Sequence, residues 1–306
     1  MTELAACPVC DGRSYVEVYP SASIGDWRDA VSYFLTARTK ALHGRIVRCV
    51  GCGFQLTSPQ FSALEYACIY DAVRAKSNSI PPKERFDALA KRVRQTESGG
   101  KFLDFGCGSG AFLDAMRGFE GIGFELAPEG LRRKGQIVIG DILSEHLSCF
   151  GLSPGSFDFI VAWDVLEHLP DPAQRMLRLR TLLKPGGRLY LTTPDSSSWV
   201  ARLTGEKWNM LLLEHLWYFS PATLRQFLSR CGFTPKVISP IPYPVDLATV
   251  FLRLRQTYGS LVPLVPASLA KVVVKLPIGL MFAAASSGVG EAARITRAIV
   301  TTGSSY

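Results

Sequence analysis

The sequence contains no hydrophobic run that could cross a lipid bilayer as a helix. A spanning helix needs about 20 consecutive apolar residues, and the most apolar stretch of this 306-residue chain, 261–285, is interrupted by two lysines and three prolines. The first ten residues also lack the basic flank and apolar core of a secretory signal. We therefore expect a cytoplasmic protein without a membrane-spanning segment.

Acidic side chains are scarce in the last third of the chain. Residues 201–306 hold 11 Lys and Arg against 4 Asp and Glu, so most of the net charge of +8 lies there. Such an excess can serve contact with nucleic acid or with anionic lipid. The whole chain is 20% charged and 47% apolar, with 27 Gly and 19 Pro. This composition excludes a disordered or collagen-like protein.

Eight cysteines are present, and a protein that is not exported keeps them reduced, which argues against a disulfide framework. Four of them form two Cys-x-x-Cys pairs, Cys7 with Cys10 and Cys49 with Cys52. The two-residue gap lets both thiolates of a pair face one ion, and four cysteines are typical of a closed, structural Zn²⁺ site. Four buried thiols without metal are the alternative. The long separation of the pairs predicts an insertion at 14–46.

Strand-like and helical patterns alternate after residue 100. Apolar runs typical of buried strands occur at 101–105, 121–125, 157–163 and 187–193. Helical patterns occur near 109–118, 127–134, 171–183 and 221–231. This alternation predicts an α/β fold, doubly wound, with a mostly parallel sheet covered by helices on both faces.

A glycine-rich turn follows the first of these strands. Asp104 lies in the strand, and Gly106, Gly108 and Gly110 follow before a helix. Glycines permit positive φ and let a ligand approach backbone amides at a helix N-terminus. Glu125 ends the next strand, where its carboxylate can accept both hydroxyls of a ribose. The run also satisfies the dinucleotide pattern, so NAD stays open as an alternative at this point.

Motifs further along the chain distinguish NAD from other nucleotide cofactors. Asp141 and Ile142 follow a third short strand, Trp163 and Asp164 end a fourth, and a Lys-Pro-Gly-Gly turn leads into a fifth. In this order the parts resemble the class I S-adenosylmethionine-dependent methyltransferases over about 101–195. The resemblance implies a seven-stranded sheet with S-adenosylmethionine across the carboxyl ends of its first strands. It assigns cofactor binding to Asp104, Gly106, Cys107, Gly108, Gly110, Glu125, Asp141, Ile142, Trp163 and Asp164.

Two segments outside that region are similar to a bacterial subgroup of these enzymes that carries an N-terminal zinc ribbon. They are VRCVGCGFQLTSP at 47–59 and EHLWYFSPATLRQFLSRCGF at 214–233. The subgroup includes near relatives of ubiquinone-type O-methyltransferases and deoxysugar C-methyltransferases. The resemblance implies that Glu214 and His215 serve in proton abstraction. His168, just after the fourth strand, is the other candidate base, and a hydrogen-bonded loop anchor is its alternative role.

The acceptor class follows from the same resemblance. It implies O- or C-methylation of a small-molecule or lipid- or sugar-linked acceptor. An RNA methyltransferase that contacts nucleic acid through its zinc ribbon is the alternative. Because the ribbon segment is only mildly basic and no Asn/Asp-Pro-Pro-Tyr run follows the fourth strand, we expect no nucleic-acid partner.

The chain divides into five predicted segments. They are a zinc ribbon at 1–60, a helical linker at 61–100, the cofactor-binding core at 101–243, an apolar insertion at 244–290, and the last strand with the C-terminus at 291–306. The last strand is expected within 292–300 rather than at 249–255. The insertion then lies on the cofactor face. It suits either amphipathic helices in an anionic headgroup region, with the protein peripheral on the inner face of the membrane, or a helical lid over the acceptor pocket.

Overall fold

The computed structural model describes residues 3–21, 43–62, 64–66, 68–69, 83–126, 137–143, 147–241, 243–246, 255, 273–276 and 279–288. Its strands are β1 (Tyr15–Tyr19), β2 (Ile46–Cys49), β3 (Gln55–Thr57), β4 (Lys101–Phe105), β5 (Glu120–Glu125), β6 (Ile137–Ile139), β7 (Phe157–Trp163), β8 (Leu183–Pro194), β9 (Trp217–Tyr218), β10 (Phe233–Pro240), β11 (Tyr243–Asp246), β12 (Val273–Leu276) and β13 (Leu280–Ser287). Its α-helices are α1 (Lys83–Val93), α2 (Ala111–Ala115), α3 (Pro172–Leu182), α4 (Trp199–Thr204) and α5 (Pro221–Arg230).

Seven strands form one sheet in the order β10-β13-β8-β7-β4-β5-β6. Strand β13 runs antiparallel to both of its neighbours, and the other pairs are parallel. This arrangement confirms the predicted α/β fold with a mostly parallel seven-stranded sheet. The carboxyl ends of β4 to β8 share one edge, so the residues that follow these strands lie close together.

Alternating residues of the central strands face two separate core layers, because successive side chains of a strand point to opposite faces. Leu103 of β4 and Ile160 of β7 pack with buried residues of α3 and α5. Phe102 and Phe159 face the other way and pack with buried residues of α1 and α2. The rings of Phe102 and Phe159 stack with centroids 5.0 Å apart. Helices therefore cover both faces of the sheet, as in a doubly wound fold.

Helix α5 begins where its sequence predicts a start. Ser220 precedes Pro221, the first helical residue, and its hydroxyl accepts a hydrogen bond from the backbone N–H of Thr223. The Thr223 hydroxyl in turn accepts from the backbone N–H of Ser220. This reciprocal cap satisfies two N–H groups that the helix itself leaves unpaired.

The strand between β8 and β10 is β13, which pairs from Leu280 with Pro194 to Ser286 with Arg188. The expectation that 292–300 supplies this strand is therefore wrong, and so is the alternative at 249–255. The boundary of the predicted insertion at 290 is wrong for the same reason, because β13 belongs to the main sheet. Most of this strand is Ala and Ser, which carry little strand propensity, so pairing with two neighbours decides its conformation.

A second sheet joins the N-terminal segment to the core. Its order is β1-β2-β3-β9, all antiparallel. Strand β9 comes from the region predicted as the core, and its Trp217 and Tyr218 pair with Leu56 and Gln55 of β3. The ribbon predicted at 1–60 therefore shares a sheet with the core.

The connection from β10 to β13 leaves the sheet at the carboxyl edge, since Pro240 lies opposite Met281 and Leu280 opposite the last residue of β8. Within it, β11 and β12 form an antiparallel pair. Most of the remainder of the connection, and the predicted last segment at 291–306, lie outside the described residues. None of the described helices combines the length and hydropathy required to cross a membrane.

Candidate active site

The glycine-rich turn lies at the carboxyl end of β4, as predicted. Gly106, Gly108 and Gly110 all have positive φ, at 73°, 50° and 79°, a backbone region that glycine adopts without strain. A Cβ atom on Gly106 would lie 2.4 Å from Cγ2 of Val165, whereas one on Gly108 would meet nothing within 4 Å. The turn thus packs against the loop after β7 on one side and leaves open space on the other.

Asp104 lies beneath this turn and is only 1% exposed. Its Oδ2 atom has no hydrogen-bond partner in the described part of the chain. Burial, followed by the negative charge of Glu125, raises the pKa of Asp104 to about 8. A buried carboxyl oxygen without a partner is costly, and a cationic or hydrogen-bond-donating ligand group in the open space would offset that cost.

Glu125 ends β5 and reaches the glycine turn. Its carboxylate accepts hydrogen bonds from the backbone N–H groups of Gly108 and Leu126, each at 2.9 Å. These two bonds hold the carboxylate at the open side of the turn. Each carboxylate oxygen keeps a further lone pair for a ligand hydroxyl.

Cys107 packs inward rather than toward the open space. A Cβ atom on Gly123 of β5 would lie 2.7 Å from its Sγ, so the thiol fills the gap that the glycine leaves. Burial, then the charges of Asp104 and Glu125, raise the pKa of the Cys107 thiol. The thiol stays protonated at neutral pH, which argues against a nucleophilic role.

Asp141 and Ile142 follow β6 at the same edge of the sheet. The Asp141 carboxylate accepts a hydrogen bond from the backbone N–H of Leu143 at 3.0 Å and lies 3.5 Å from Nη2 of Arg175. Ile142 is buried. The carboxylate is half exposed at this edge, where the sequence analysis predicts a contact to an adenine ring.

Trp163 is the last residue of β7, and its ring lies between two aromatic neighbours. The centroid distances are 5.1 Å to Phe112 of α2 and 6.3 Å to Phe282 of β13. Its buried indole N–H has no hydrogen-bond partner among the described residues. The indole therefore links the helix after the glycine turn to the antiparallel strand.

Asp164 follows in a left-handed conformation with φ of 53°, a strain typical of functional positions. Its carboxylate pairs with Nη2 of Arg85 on α1 and accepts a hydrogen bond from Thr192 Oγ1 at 2.6 Å. Burial opposes ionisation, but the charge of Arg85 and these hydrogen bonds outweigh it and lower the pKa of Asp164. Asp164 is therefore an anion held by two partners.

Glu167 is fully buried one turn further on. It accepts a hydrogen bond from Thr193 Oγ1 at 2.9 Å. Burial, then the charge of Asp164, raise the pKa of Glu167 well above its ordinary value. Thr192 and Thr193 are consecutive residues of β8 whose side chains point to opposite faces, and each holds one acid of the loop after β7.

His168 and His215 meet with ring centroids 4.7 Å apart. Nδ1 of His168 lies 3.1 Å from the carbonyl oxygen of Glu214, and Nδ1 of His215 lies 2.8 Å from that of Met210. A carbonyl oxygen can only accept, so Nδ1 carries the proton in both rings and Nε2 keeps its lone pair. The predicted loop-anchor contact of His168 is thus present.

Burial lowers the pKa of both histidines, to about 4 for His168 and about 3 for His215. The charge of His168 lowers the pKa of His215 further, while Asp164 acts in the opposite direction on both. Both rings are neutral at pH 7 and able to accept a proton. Glu214, the third predicted catalytic residue, is 3% exposed.

One potential metal-ligand atom each from Glu167, His168 and His215 lies within 4.8 Å of the others. The sequence predicted both histidines as candidate bases but not the partners that hold this part of the site. Arg85 stands in a charged helix with no motif, and the two threonines of β8 belong to an ordinary strand pattern, so no sequence signal could have found them.

The four cysteines predicted to bind zinc form one cluster. Sγ of Cys7 lies 3.6 Å from that of Cys52, and Sγ of Cys10 lies 3.5 Å from that of Cys49. A tetrahedral site with Zn–S bonds of about 2.3 Å needs sulfur atoms about 3.8 Å apart. The backbone N–H groups of Asp11 and Gly53 donate to the carbonyls of Cys7 and Cys49, so both pairs form the same tight turn. The donor set therefore fits one Zn²⁺ ion.

A small cavity lies between the ribbon and the core. It encloses about 50 Å³ and is lined by residues that include Arg45, Thr57, Tyr66 and Leu213. Ligand pockets usually enclose roughly 300 Å³ or more. This cavity is therefore too small to be the acceptor site.

Comparison with known families agrees with this geometry. The sequence model of a family described as "Methyltransferase domain" matches residues 81–237, about half of the chain. That match extends from the region of Arg85 to β10, and it includes the glycine turn, both acids of the loop after β7 and the histidine pair.

Individual relatives and one solved structure are also similar. The ubiquinone biosynthesis O-methyltransferase of Xylella fastidiosa (strain 9a5c) is 31% identical over 181 residues, which cover 52% of this chain and 70% of the relative. That of Thiobacillus denitrificans is 26% identical over 167 residues, or 49% and 72%. A chain in the complex between the Haloferax volcanii Trm112 methyltransferase activator and a methyltransferase superposes with a TM-score of 0.51 at 18% identity. That superposition covers 72% of this chain and 97% of the other, and it reports on the fold alone.

Proposed function

The chain belongs to the methyltransferase-domain family and is an S-adenosylmethionine-dependent methyltransferase, and we propose that it methylates a hydroxyl oxygen of a small-molecule or lipid- or sugar-linked acceptor. The observation that carries the proposal is the pair His168 and His215: His168 lies on the loop that packs against the glycine turn, and the His215 ring contacts it from the segment before β9. O-methylation is favoured over C-methylation because the relatives above are named O-methyltransferases.

The cofactor site is proposed on the residues of the carboxyl edge. Glu125 would accept the ribose hydroxyls, and Asp141 with Ile142 would line the adenine. Asp104 offers its free buried oxygen to a donor or cation of the amino-acid end, below the open side of Gly108. When bound, S-adenosylmethionine supplies a methyl group already activated by its sulfonium. The residues therefore need mainly to align donor and acceptor.

The acceptor hydroxyl must lose its proton during transfer. Both histidines have a neutral ring with Nδ1 held by a carbonyl, so Nε2 is the ring nitrogen that can take this proton. Asp164 stabilises the resulting imidazolium, because its charge raises the pKa of both rings. We assign the proton-accepting role to His215 with His168 as its neighbour, and Glu214 holds His168 through its backbone carbonyl.

The test uses purified protein, methyl-labelled S-adenosylmethionine and a panel of acceptors. The panel contains a catechol with a short isoprenoid chain, unsubstituted catechol, a nucleotide-linked deoxysugar and a tRNA transcript. We expect label on oxygen of a small-molecule acceptor. His215→Asn should lower turnover by roughly 100-fold or more with unchanged affinity for S-adenosylmethionine.

His43→Asn is the matched control. This histidine is also buried, and its Nδ1 also contacts a carbonyl oxygen, that of Gly44, but it lies outside the proposed site. It should keep the turnover of the unmodified protein. Label in the tRNA alone would support the RNA methyltransferase instead, and full turnover by His215→Asn would overturn the assignment of the base.

We also propose that the protein binds one structural Zn²⁺ through Cys7, Cys10, Cys49 and Cys52, and that it contacts anionic lipid through the connection after β10. That connection leaves the sheet at the edge that carries the cofactor residues. It contains few acidic residues and several basic ones, which include Arg253, Arg255, Lys271 and Lys275. An active-site opening that faces the membrane would favour a lipid-linked acceptor.

A further inference from the structure

The segment that carries His215 is held from two sides. On one side, the backbone N–H of Leu216 donates to the carbonyl of Glu167 at 2.8 Å, and the Trp217 indole N–H donates to the carbonyl of Leu169 at 2.7 Å. Both acceptors belong to the loop after β7, which also carries His168. These two hydrogen bonds connect the segment that carries His215 to the loop that carries His168.

The other side is the ribbon, and the contact is made by Thr57. Its backbone N–H donates to the carbonyl of Leu216 and its hydroxyl donates to the carbonyl of His215, both at 2.9 Å. Thr57 is 3% exposed, so these bonds are shielded from bulk solvent. The hydroxyl bond holds the peptide of His215, to which the ring is attached. The ring Nδ1 contacts the carbonyl oxygen of Met210, so a shift of the peptide would change that contact.

Thr57 in turn lies five residues after the last of the zinc-binding cysteines. A hydrogen bond of 2.8 Å from the Cys49 N–H to the Phe54 carbonyl closes the turn that holds Cys49 and Cys52. The Phe54 ring then packs on Trp217 and Phe219, with centroids 6.2 Å and 4.8 Å away. The zinc cluster is thus only two residues from β3, and β3 pairs directly with the segment that carries His215.

We propose that Thr57 is a positioning residue for His215, and that the zinc ribbon acts through Thr57 to set the histidine pair of the acceptor side. The ribbon then has a role in methyl transfer besides stabilising the N-terminal segment. This inference rests on the proposed function only for the claim that His215 takes the acceptor proton. The coupling from Thr57 to the His215 ring is a property of the chain that can be measured without an acceptor.

The experiment compares Thr57→Val with Thr57→Ser in otherwise unmodified, zinc-loaded protein. Valine keeps the shape but removes the hydroxyl, and serine restores the hydroxyl. Because the chain has only four histidines, selective ¹⁵N labelling resolves each ring, and long-range ¹H–¹⁵N correlation reports its tautomer. We expect the His215 and His168 signals to shift or broaden in Thr57→Val and to return to their original positions in Thr57→Ser.

Thr223→Val is the matched control. It also removes a buried threonine hydroxyl, the one that caps α5, and lowers stability without touching the His215 segment. Its His215 and His168 signals should stay unchanged. If Thr57→Val leaves both rings unchanged, or shifts them no more than Thr223→Val does, the positioning role is wrong.

Two further measurements test the ribbon and the reaction. Removal of zinc by chelator should shift the same two ring signals, and added Zn²⁺ should restore them. Unchanged rings in zinc-free protein would overturn the link to the ribbon. With an acceptor from the panel above, Thr57→Val should lower turnover roughly 10-fold at unchanged affinity for S-adenosylmethionine. Failure of the proposed function would appear as absent transfer in the unmodified protein, while the ring signals would still respond to Thr57.

Discussion

Asp104 is a single buried acid that lowers the free energy of unfolding of the ligand-free protein as the pH rises. Its raised pKa means that the unfolded chain loses its proton from about pH 4 upward, whereas the folded chain keeps it to about pH 8. Folding therefore becomes less favourable as pH rises through this interval, by at most about 1.4 kcal/mol per pH unit. Above about pH 8 both states are ionised and the effect is constant.

Asp104→Asn should remove this pH dependence. We expect the free energy of unfolding of the variant to exceed that of the unmodified protein by an amount that grows between about pH 5 and pH 8. Urea denaturation of both proteins at several pH values in this range provides the measurement. All other ionisable groups are shared, so parallel pH curves would contradict the assigned environment of Asp104.

Glu125→Ala should weaken the binding of S-adenosylmethionine. Loss of hydrogen bonds to a charged group is worth roughly 2–3 kcal/mol, which corresponds to about 30- to 150-fold in Kd. Titration calorimetry measures the effect. Glu120→Ala is the control, because Glu120 begins the same strand but is exposed and pairs only with Lys101, at 3.5 Å, among the described ion pairs. An unchanged Kd for Glu125→Ala would mean that β5 does not hold the ribose.

Among the elements, the ribbon has the clearest test. Cys49→Ser should remove zinc and lower the free energy of unfolding together, by about 4 kcal/mol or more, because the metal links two turns that are far apart in sequence. Metal analysis and thermal denaturation give the two readouts. Cys68→Ser, at a half-buried cysteine outside the cluster, should retain one equivalent of zinc. A pure protein without zinc that is indifferent to chelator would exclude the site.

Strand β13 shows why an element can escape sequence reasoning. The run from Leu280 to Ser287 has three consecutive alanines and ends in two serines, so neither alternation nor β-branched residues indicate a strand. It forms a strand because β8 and β10 both pair with it, one on each side. In contrast, β4 and β7 were predicted to the residue, since buried central strands are continuous apolar runs.

At the scale of the molecule, the charge distribution leads to a test of membrane contact. Vesicles with anionic lipid should carry the protein on flotation at low salt, and neutral vesicles should not. Replacement of 247–272 by a short Gly-Ser turn should abolish flotation, because it removes Arg253, Arg255 and Lys271. The replacement keeps β11, β12 and β13, and Asp246 already lies opposite Val273, so a turn can join them.

S-adenosylmethionine binding by that variant should be unchanged, which shows that the main sheet is intact. A deletion as far as 285 would remove most of β13 and could not serve this purpose. Equal flotation of the two proteins, or none by the unmodified protein, would remove the basis for a lipid-linked acceptor.

The spacing of residues over short stretches of the chain determined much of the fold and of the cofactor-binding edge. The glycines after β4, the acid that ends β5 and the paired cysteines are each defined by short intervals along the chain, and the geometry that such intervals impose is local. The order of these parts therefore indicated the fold and the methyl donor, and the sequence predicted His168 and His215 as candidate bases.

Tertiary structure alone decided how those parts are held. The partners of Asp164, the entry of β9 into the ribbon sheet and the contact of Thr57 with His215 join residues that are 28 to 163 positions apart. No periodicity or spacing encodes such contacts, because they depend on how sheets and helices pack. The low pKa values of the two histidines have the same origin, since burial is a property of the folded molecule rather than of the residue.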